Sequence, residues 1–145
     1  MTFLDLGFGE FPHLNATHGV DYQSESSLTR LARRYGPVAV KNMKRFMAQK
    51  GHFFFNFDYT KQKLPYADNY FDTVYSSHSL DIFGNAFADK EAVRVLKKGG
   101  MLIIKIGSND PAKHRSLVMK LKKLKLTKVG VSEGEYGSTV ISGVK

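Results

Sequence analysis

The 145-residue chain carries 22 lysines and arginines against 13 aspartates and glutamates, a formal net charge of +9, and it has no cysteine. Disulfides, thiolate metal sites and cysteine nucleophiles are therefore excluded, and the length suits one domain, 1–145, with a single core. No apolar run approaches the roughly 20 residues of a membrane span. The start lacks the basic and apolar segments of a secretory signal, so a cytoplasmic protein is expected.

Residues 2–6 (TFLDL) predict a short buried strand that runs into a turn holding Gly7 and Gly9. Residues 18–22 (HGVDY) predict a second strand. The stretch from Ser24 has Leu28 and Leu31 at helical spacing and stops at Gly36, so a helix with both cap signals is expected there. Residues 38–50 place Val40, Met43, Phe46 and Met47 on one face, a second amphipathic helix closed by Gly51. The run HFFFNFD (52–58) reads as a buried strand ending at an acid, and KLPYADNY as a polar loop.

FDTVYSS (71–77) is the next strand, and ADKEAVRVLKKGG (88–100) a helix with Ala92, Val95 and Leu96 turned inward. GMLIIKIG (100–107) is the strongest strand signal in the chain. A helix is expected over 111–124, with Leu117, Val118, Leu121 and Leu124 on one face. Strands near 126–131 and 138–144 flank the turn-rich SEGEYGS. Strands alternating with helices predict an α/β fold, a parallel sheet covered on both faces that finishes in an antiparallel hairpin.

In such a sheet, ligands bind outside the carboxyl ends of the strands. Three carboxylates stand at successive strand ends, Asp5, Asp21 and Asp58. Gly7 and Gly9 follow the first strand, where glycines allow positive φ and let the backbone approach a ligand without a Cβ in the way. Asp21 stands where an acid can accept hydrogen bonds from both hydroxyls of a ribose. A lone G-x-G after a strand is more often only a turn, and an acid after a strand is more often a cap. All three in order are much harder to obtain by chance.

FLDLGFG, GVDY, FDYTKQKLPYADNYFDTVYSSHSL and EAVRVLKKGGMLIIKI resemble the successive motifs of class I S-adenosylmethionine-dependent methyltransferases, in particular the small type-11 domains. The resemblance runs from Phe3 to about Ile106, and STVISGVK is compatible with the family's last strand. It implies a Rossmann-like three-layer sandwich with a seven-stranded, mostly parallel sheet of order 3-2-1-4-5-7-6 and an antiparallel strand seven. It implies S-adenosylmethionine as cofactor. Asp5, Gly7 and Gly9 would hold its methionine end, Asp21 its ribose, and Tyr22 would pack on the adenine. Asp58 would accept from the adenine amino group with Tyr59 beside it, while Ser76, Ser77 and His78 would line the pocket near the sulfonium. His78 is the candidate general base, weighed against a loop histidine whose backbone alone matters.

The sequence departs from the family in two places. Phe11 stands where the third glycine is usual, and residues 7–18 are too few for a full crossover helix, so the first helix is expected to be truncated. The family's N-terminal helix is expected to be missing as well. The helix over 38–50 would then cover the sheet face left bare, unless a homodimer contact or a partner subunit does so. The histidines His13, His18, His52 and His114 are scattered, and no metal site is expected from them within one strand or helix.

The motifs describe the cofactor and leave the acceptor open. Between residues 97 and 128 ten basic side chains accompany only Asp110, so nucleic acid or another large anionic partner is an expected acceptor, against a bland reading as solvated lysines. The competing functional reading is a non-catalytic S-adenosylmethionine-binding or structural module of the same fold, acting with a partner chain.

Overall fold

The structure is a computed structural model that describes residues 1–8, 12–21, 32–50, 52–54, 57–78, 80, 86–107 and 109–145; the side chains of Phe46, Met47 and Lys50 also lie outside the description. Seven strands form one sheet in the order β3-β2-β1-β4-β5-β7-β6. They are β1 (Phe3–Leu6), β2 (His18–Val20), β3 (His52–Phe54), β4 (Phe71–Ser77), β5 (Leu96–Ile106), β6 (Thr127–Glu133) and β7 (Thr139–Val144). The five strands from β3 to β5 run parallel, and β7 is antiparallel to both of its neighbours.

The strand alternation sorts the core. Leu4, Leu6, Val74, Leu102, Ile104, Ile106 and Ile141 point to one face and are fully or almost fully buried. There they meet Ala88, Ala92 and Val95 of α2 (Ala86–Val95) and Leu117 and Leu121 of α3 (Pro111–Lys123). These residues form one continuous apolar cluster, the main favourable term in folding. α3 starts where Asp110 caps it, its carboxylate accepting from the Ala112 N–H at 2.9 Å, with Pro111 in the first turn.

The other face is much less covered. Thr73, Tyr75, Ile103, Lys105, Val140, Ser142 and Val144 are only half-buried there, and Met101 is 42% exposed. α1 (Pro37–Lys50) packs against β3, at the far edge, rather than across β4 to β7. Its Met43 is buried, as the sequence pattern requires, whereas Phe46 and Met47 lie outside the description. The helix expected to shield the bare face thus packs on the outermost strand.

Two expectations shift. The strand read over 52–58 is not buried as expected: in β3, described over His52–Phe54, His52 and Phe54 are exposed because β3 is the outermost strand with a single neighbour, and residues 55 and 56 lie outside the described residues. The helix read over 88–100 ends at Val95, and Leu96 already begins β5, pairing with Phe71 before a register shift. The first crossover is short: residues 12–17 form turns, and none of the described residues between β1 and β2 is helical. Of the helix expected from Ser24, residues 32–35 are described and are helical.

Candidate functional site at the carboxyl edge of the sheet

β1 delivers Asp5 and Gly7 to the carboxyl edge. Gly7 takes φ 74°, a left-handed bend that disfavours any side chain, and its N–H donates to the Val20 carbonyl at 2.8 Å. The glycine therefore ties the β1 turn to the end of β2. Gly19 is required for a different reason. A Cβ there would lie 2.5 Å from the Phe53 ring and 2.8 Å from the Phe8 ring, which meet edge-to-face at 5.7 Å over this point of β2.

Asp5 is 1% exposed and sits opposite Gly19 and Tyr75 in the sheet. Its Oδ2 accepts from the His13 N–H at 2.6 Å, and its Oδ1 is buried without a partner among the described residues. Burial pushes this carboxyl up to about 7; the His13 N–H opposes the shift, and the negative charge of nearby Asp21 adds to it. A buried carboxylate with an unused oxygen is unfavourable unless a donor or a cation completes it.

Asp21, buried, follows β2 directly; its N–H donates to Phe54 O and its carbonyl accepts from Phe57 N–H, so the ends of β2 and β3 are locked together. Asp58 lies beyond β3 and caps its own turn, accepting from Thr60 N–H at 3.1 Å and from the Thr60 hydroxyl, with Lys61 at 3.8 Å. Those partners, the Thr60 hydroxyl foremost, hold its carboxyl below the usual range. Tyr59 is buried in the main apolar cluster. Gly9 and Tyr22 lie outside the described residues.

At the end of β4 the Ser76 hydroxyl is fully buried and accepts from Leu80 N–H at 3.0 Å, closing the turn that follows. Ser77 is half-buried. His78 is exposed, takes φ 56°, donates its N–H to Lys105 O at 3.0 Å, and lays its ring over Gly107. Asp5, Asp21, Ser77 and His78 thus share one edge of the sheet, with Asp58 on the loop after its outermost strand.

Sequence reasoning missed the role of His13. Its backbone N–H satisfies one oxygen of Asp5, and its ring stacks on Phe3 at 4.8 Å and meets Tyr75 at a tilt at 4.7 Å. The only signal was its place in the short crossover after Pro12. A cleft of about 510 Å³ lies on the β7–β6 side of the same edge, bounded by His114, Glu133, Gly134 and Gly137 to Thr139.

The basic segment is partly spoken for. Lys97 pairs with Asp72 at 2.7 Å, and Lys120 pairs with the buried Asp89 at 3.0 Å while donating to Leu80 O. Lys122, Lys123, Lys125 and Lys128 remain exposed.

A family model described as a methyltransferase domain, of type 11, matches residues 19–104. The chain belongs to that methyltransferase family. Solved methyltransferases share its fold. An S-adenosylmethionine-dependent methyltransferase from Aquifex aeolicus superposes with a TM-score of 0.69 at 18% identity, covering 99% of this chain and 81% of the other. The Burkholderia thailandensis 1,6-didemethyltoxoflavin-N1-methyltransferase, solved with bound S-adenosylhomocysteine, gives 0.64 at 15% identity, covering 99% and 70%. A Haloferax volcanii protein in complex with the Trm112 methyltransferase activator gives 0.62 at 17% identity, covering 99% and 81%. No curated protein sequence matches the chain.

S-adenosylmethionine is the cofactor consistent with this methyltransferase domain. The residues present fit it: the Asp5 Oδ1, unpartnered among the described residues, suits a cationic ammonium donor, and buried Asp21 suits a hydroxyl donor. Among the described residues no helix is long and apolar enough to cross a membrane.

Proposed function

We propose that the protein transfers a methyl group from S-adenosylmethionine to an acceptor at the carboxyl edge of the sheet. The observation that carries this reading is the buried Oδ1 of Asp5, unpartnered among the described residues, beside a second buried carboxylate, Asp21. Asp5 receives the ammonium group of the methionine end, with Gly7 and Gly9 keeping the turn clear of side chains. Asp21 accepts from the ribose hydroxyls. Tyr22 and Tyr59 belong to the adenine side, where Asp58 offers an acceptor to the exocyclic amine. Ser76 shapes the turn after β4 from within, and Ser77 and His78 face the reacting end.

When bound, the cofactor supplies a methyl group on a sulfonium, already activated for displacement. The chain has then only to hold a nucleophile in line, and orientation supplies most of the acceleration. His78, exposed at the end of β4, takes the acceptor's proton where the acceptor carries one. The exposed lysines of 97–128 favour a polyanionic acceptor such as RNA.

A second reading is favoured by the half-covered sheet face: the fold acts with a partner chain, catalytic or not. Transfer of labelled methyl from S-adenosylmethionine into cell-extract RNA or protein, compared between the wild type and Asp21→Ala, separates the two. Cofactor binding without transfer, alone and with extract present, would favour the non-catalytic module.

A further inference from the structure

β2 and β3 run parallel and in register, with His18 directly opposite His52. Both imidazoles therefore emerge on the same face of the sheet, at the amino ends of the strands and away from the cofactor edge. Their ring centroids are 5.4 Å apart with an interplanar angle of 43°. Two imidazole nitrogens bound tetrahedrally to one metal at ordinary Zn–N lengths bring the ring centres to about 5 Å.

His18 is held in place for such a role. The rings of Tyr66, Tyr70 and Phe71 meet it edge-on at 5.5, 5.6 and 5.1 Å, which fixes its orientation. Its Nδ1 lies 2.9 Å from Thr17 Oγ1, and that hydroxyl has an acceptor for its own hydrogen in Phe3 O at 3.1 Å. Thr17 can thus accept from Nδ1–H, the tautomer that leaves the lone pair on Nε2. A ligating histidine whose other nitrogen donates to an oxygen is the usual arrangement around metals.

Beside the pair is a cleft of about 290 Å³ lined by the two histidines, Phe54, Pro65, Tyr66, Ala67 and Tyr70. Among the described residues that lining contains no lysine to repel a cation and no carboxylate to favour Mg²⁺ or Ca²⁺. Neutral nitrogen donors alone select Zn²⁺, Cu²⁺ or Ni²⁺. His52 is exposed, so a metal has a way in. Among the described residues no group of three or more His, Cys, Asp or Glu is placed to hold a metal, so they supply two protein ligands and no third.

We propose that His18 and His52 form an open two-histidine site for a borderline divalent transition metal, with solvent in the cleft completing the coordination. Burial, and then the neighbouring His52, keep His18 below the ordinary imidazole range.

The test uses the untagged full chain and Cu²⁺ as probe, the tightest binder of its row. One equivalent should give an electron paramagnetic resonance spectrum with coupling to two imidazole nitrogens. His52→Ala should reduce it to one, while His78→Ala and His114→Ala leave it at two. Zn²⁺ added to the metal-free, unmutated protein should shift the ring-proton resonances of His18 and His52 together, which needs no variant to fold. A wild-type spectrum without two-nitrogen coupling, coupling that survives in His52→Ala, or Zn²⁺ shifts confined to other histidines would each overturn the proposal.

Discussion

The backbone N–H of His13 donates to one oxygen of Asp5 at 2.6 Å and leaves the other buried, with no partner among the described residues. The short crossover thus half-satisfies the carboxylate, whose titration is raised to about 7 mainly by burial.

The first prediction is the resulting pH dependence. Between about pH 4 and 7 the native state holds a proton on Asp5 that the unfolded chain has released, so this group's contribution lowers stability as pH rises through that window. The full effect is roughly 4 kcal/mol at most. Asp5→Asn should raise the melting temperature of the unliganded protein above pH 7 and flatten its slope between pH 5 and 7. The same change should weaken S-adenosylmethionine binding, and wild-type affinity should fall as Asp5 protonates below about 7. An Asn variant with the wild-type pH slope would contradict the assignment.

Cofactor linkage gives the second. S-adenosylmethionine or S-adenosylhomocysteine at 100 times its dissociation constant should stabilise the fold by about 2.7 kcal/mol. For a chain of this size that is a melting shift of several degrees. Asp21→Ala should abolish most of it. Differential scanning fluorimetry reads both outcomes, and no shift in the wild type at millimolar cofactor would remove the proposed activity.

The third concerns Arg94, 18% exposed at its side chain, which bonds Glu91, Asp68 and the carbonyls of Leu64 and Tyr66. Glu91 in turn accepts from Leu64 N–H at 2.7 Å, so the pair pins the 64–68 loop to α2. Arg94→Ala strands a buried carboxylate and should cost about 3 kcal/mol or more. Arg94→Lys should recover little, because a single ammonium cannot reproduce the forked geometry. Urea unfolding measures both, and a loss below about 1 kcal/mol in the Ala variant would place the network at the level of surface pairs.

The fourth separates the lysines. Lys120 is engaged with Asp89 and Leu80, so Lys120→Gln should lower stability. Lys122, Lys123 and Lys125 are exposed, and replacing all three by Gln should leave stability nearly unchanged. If RNA is the acceptor, the triple variant should flatten the log–log salt dependence of binding by about 0.7 for each phosphate no longer neutralised. Binding at nonspecific strength and indifferent to the triple variant would return these lysines to plain solvation.

Strand order and the carboxyl-edge acids were legible before any coordinates. Apolar runs bounded by turn signals, a carboxylate near the end of each of the first two strands, and the methyltransferase-like motifs left little freedom in how β1, β2, β4 and β5 could pair. These are local signals: periodicity and caps depend on neighbours within a few residues. Which groups are buried, and whom they meet, came from the folded chain. The HFFF run looks like core, yet His52 and Phe54 are exposed because position in the sheet, not composition, sets burial. Lys120 looks like surface, yet it turns inward because Asp89 waits on α2. His13 meets Asp5 from 8 residues away, and His18 meets His52 across the pairing of β2 with β3. Such meetings depend on how distant strands are brought together, which no local pattern encodes.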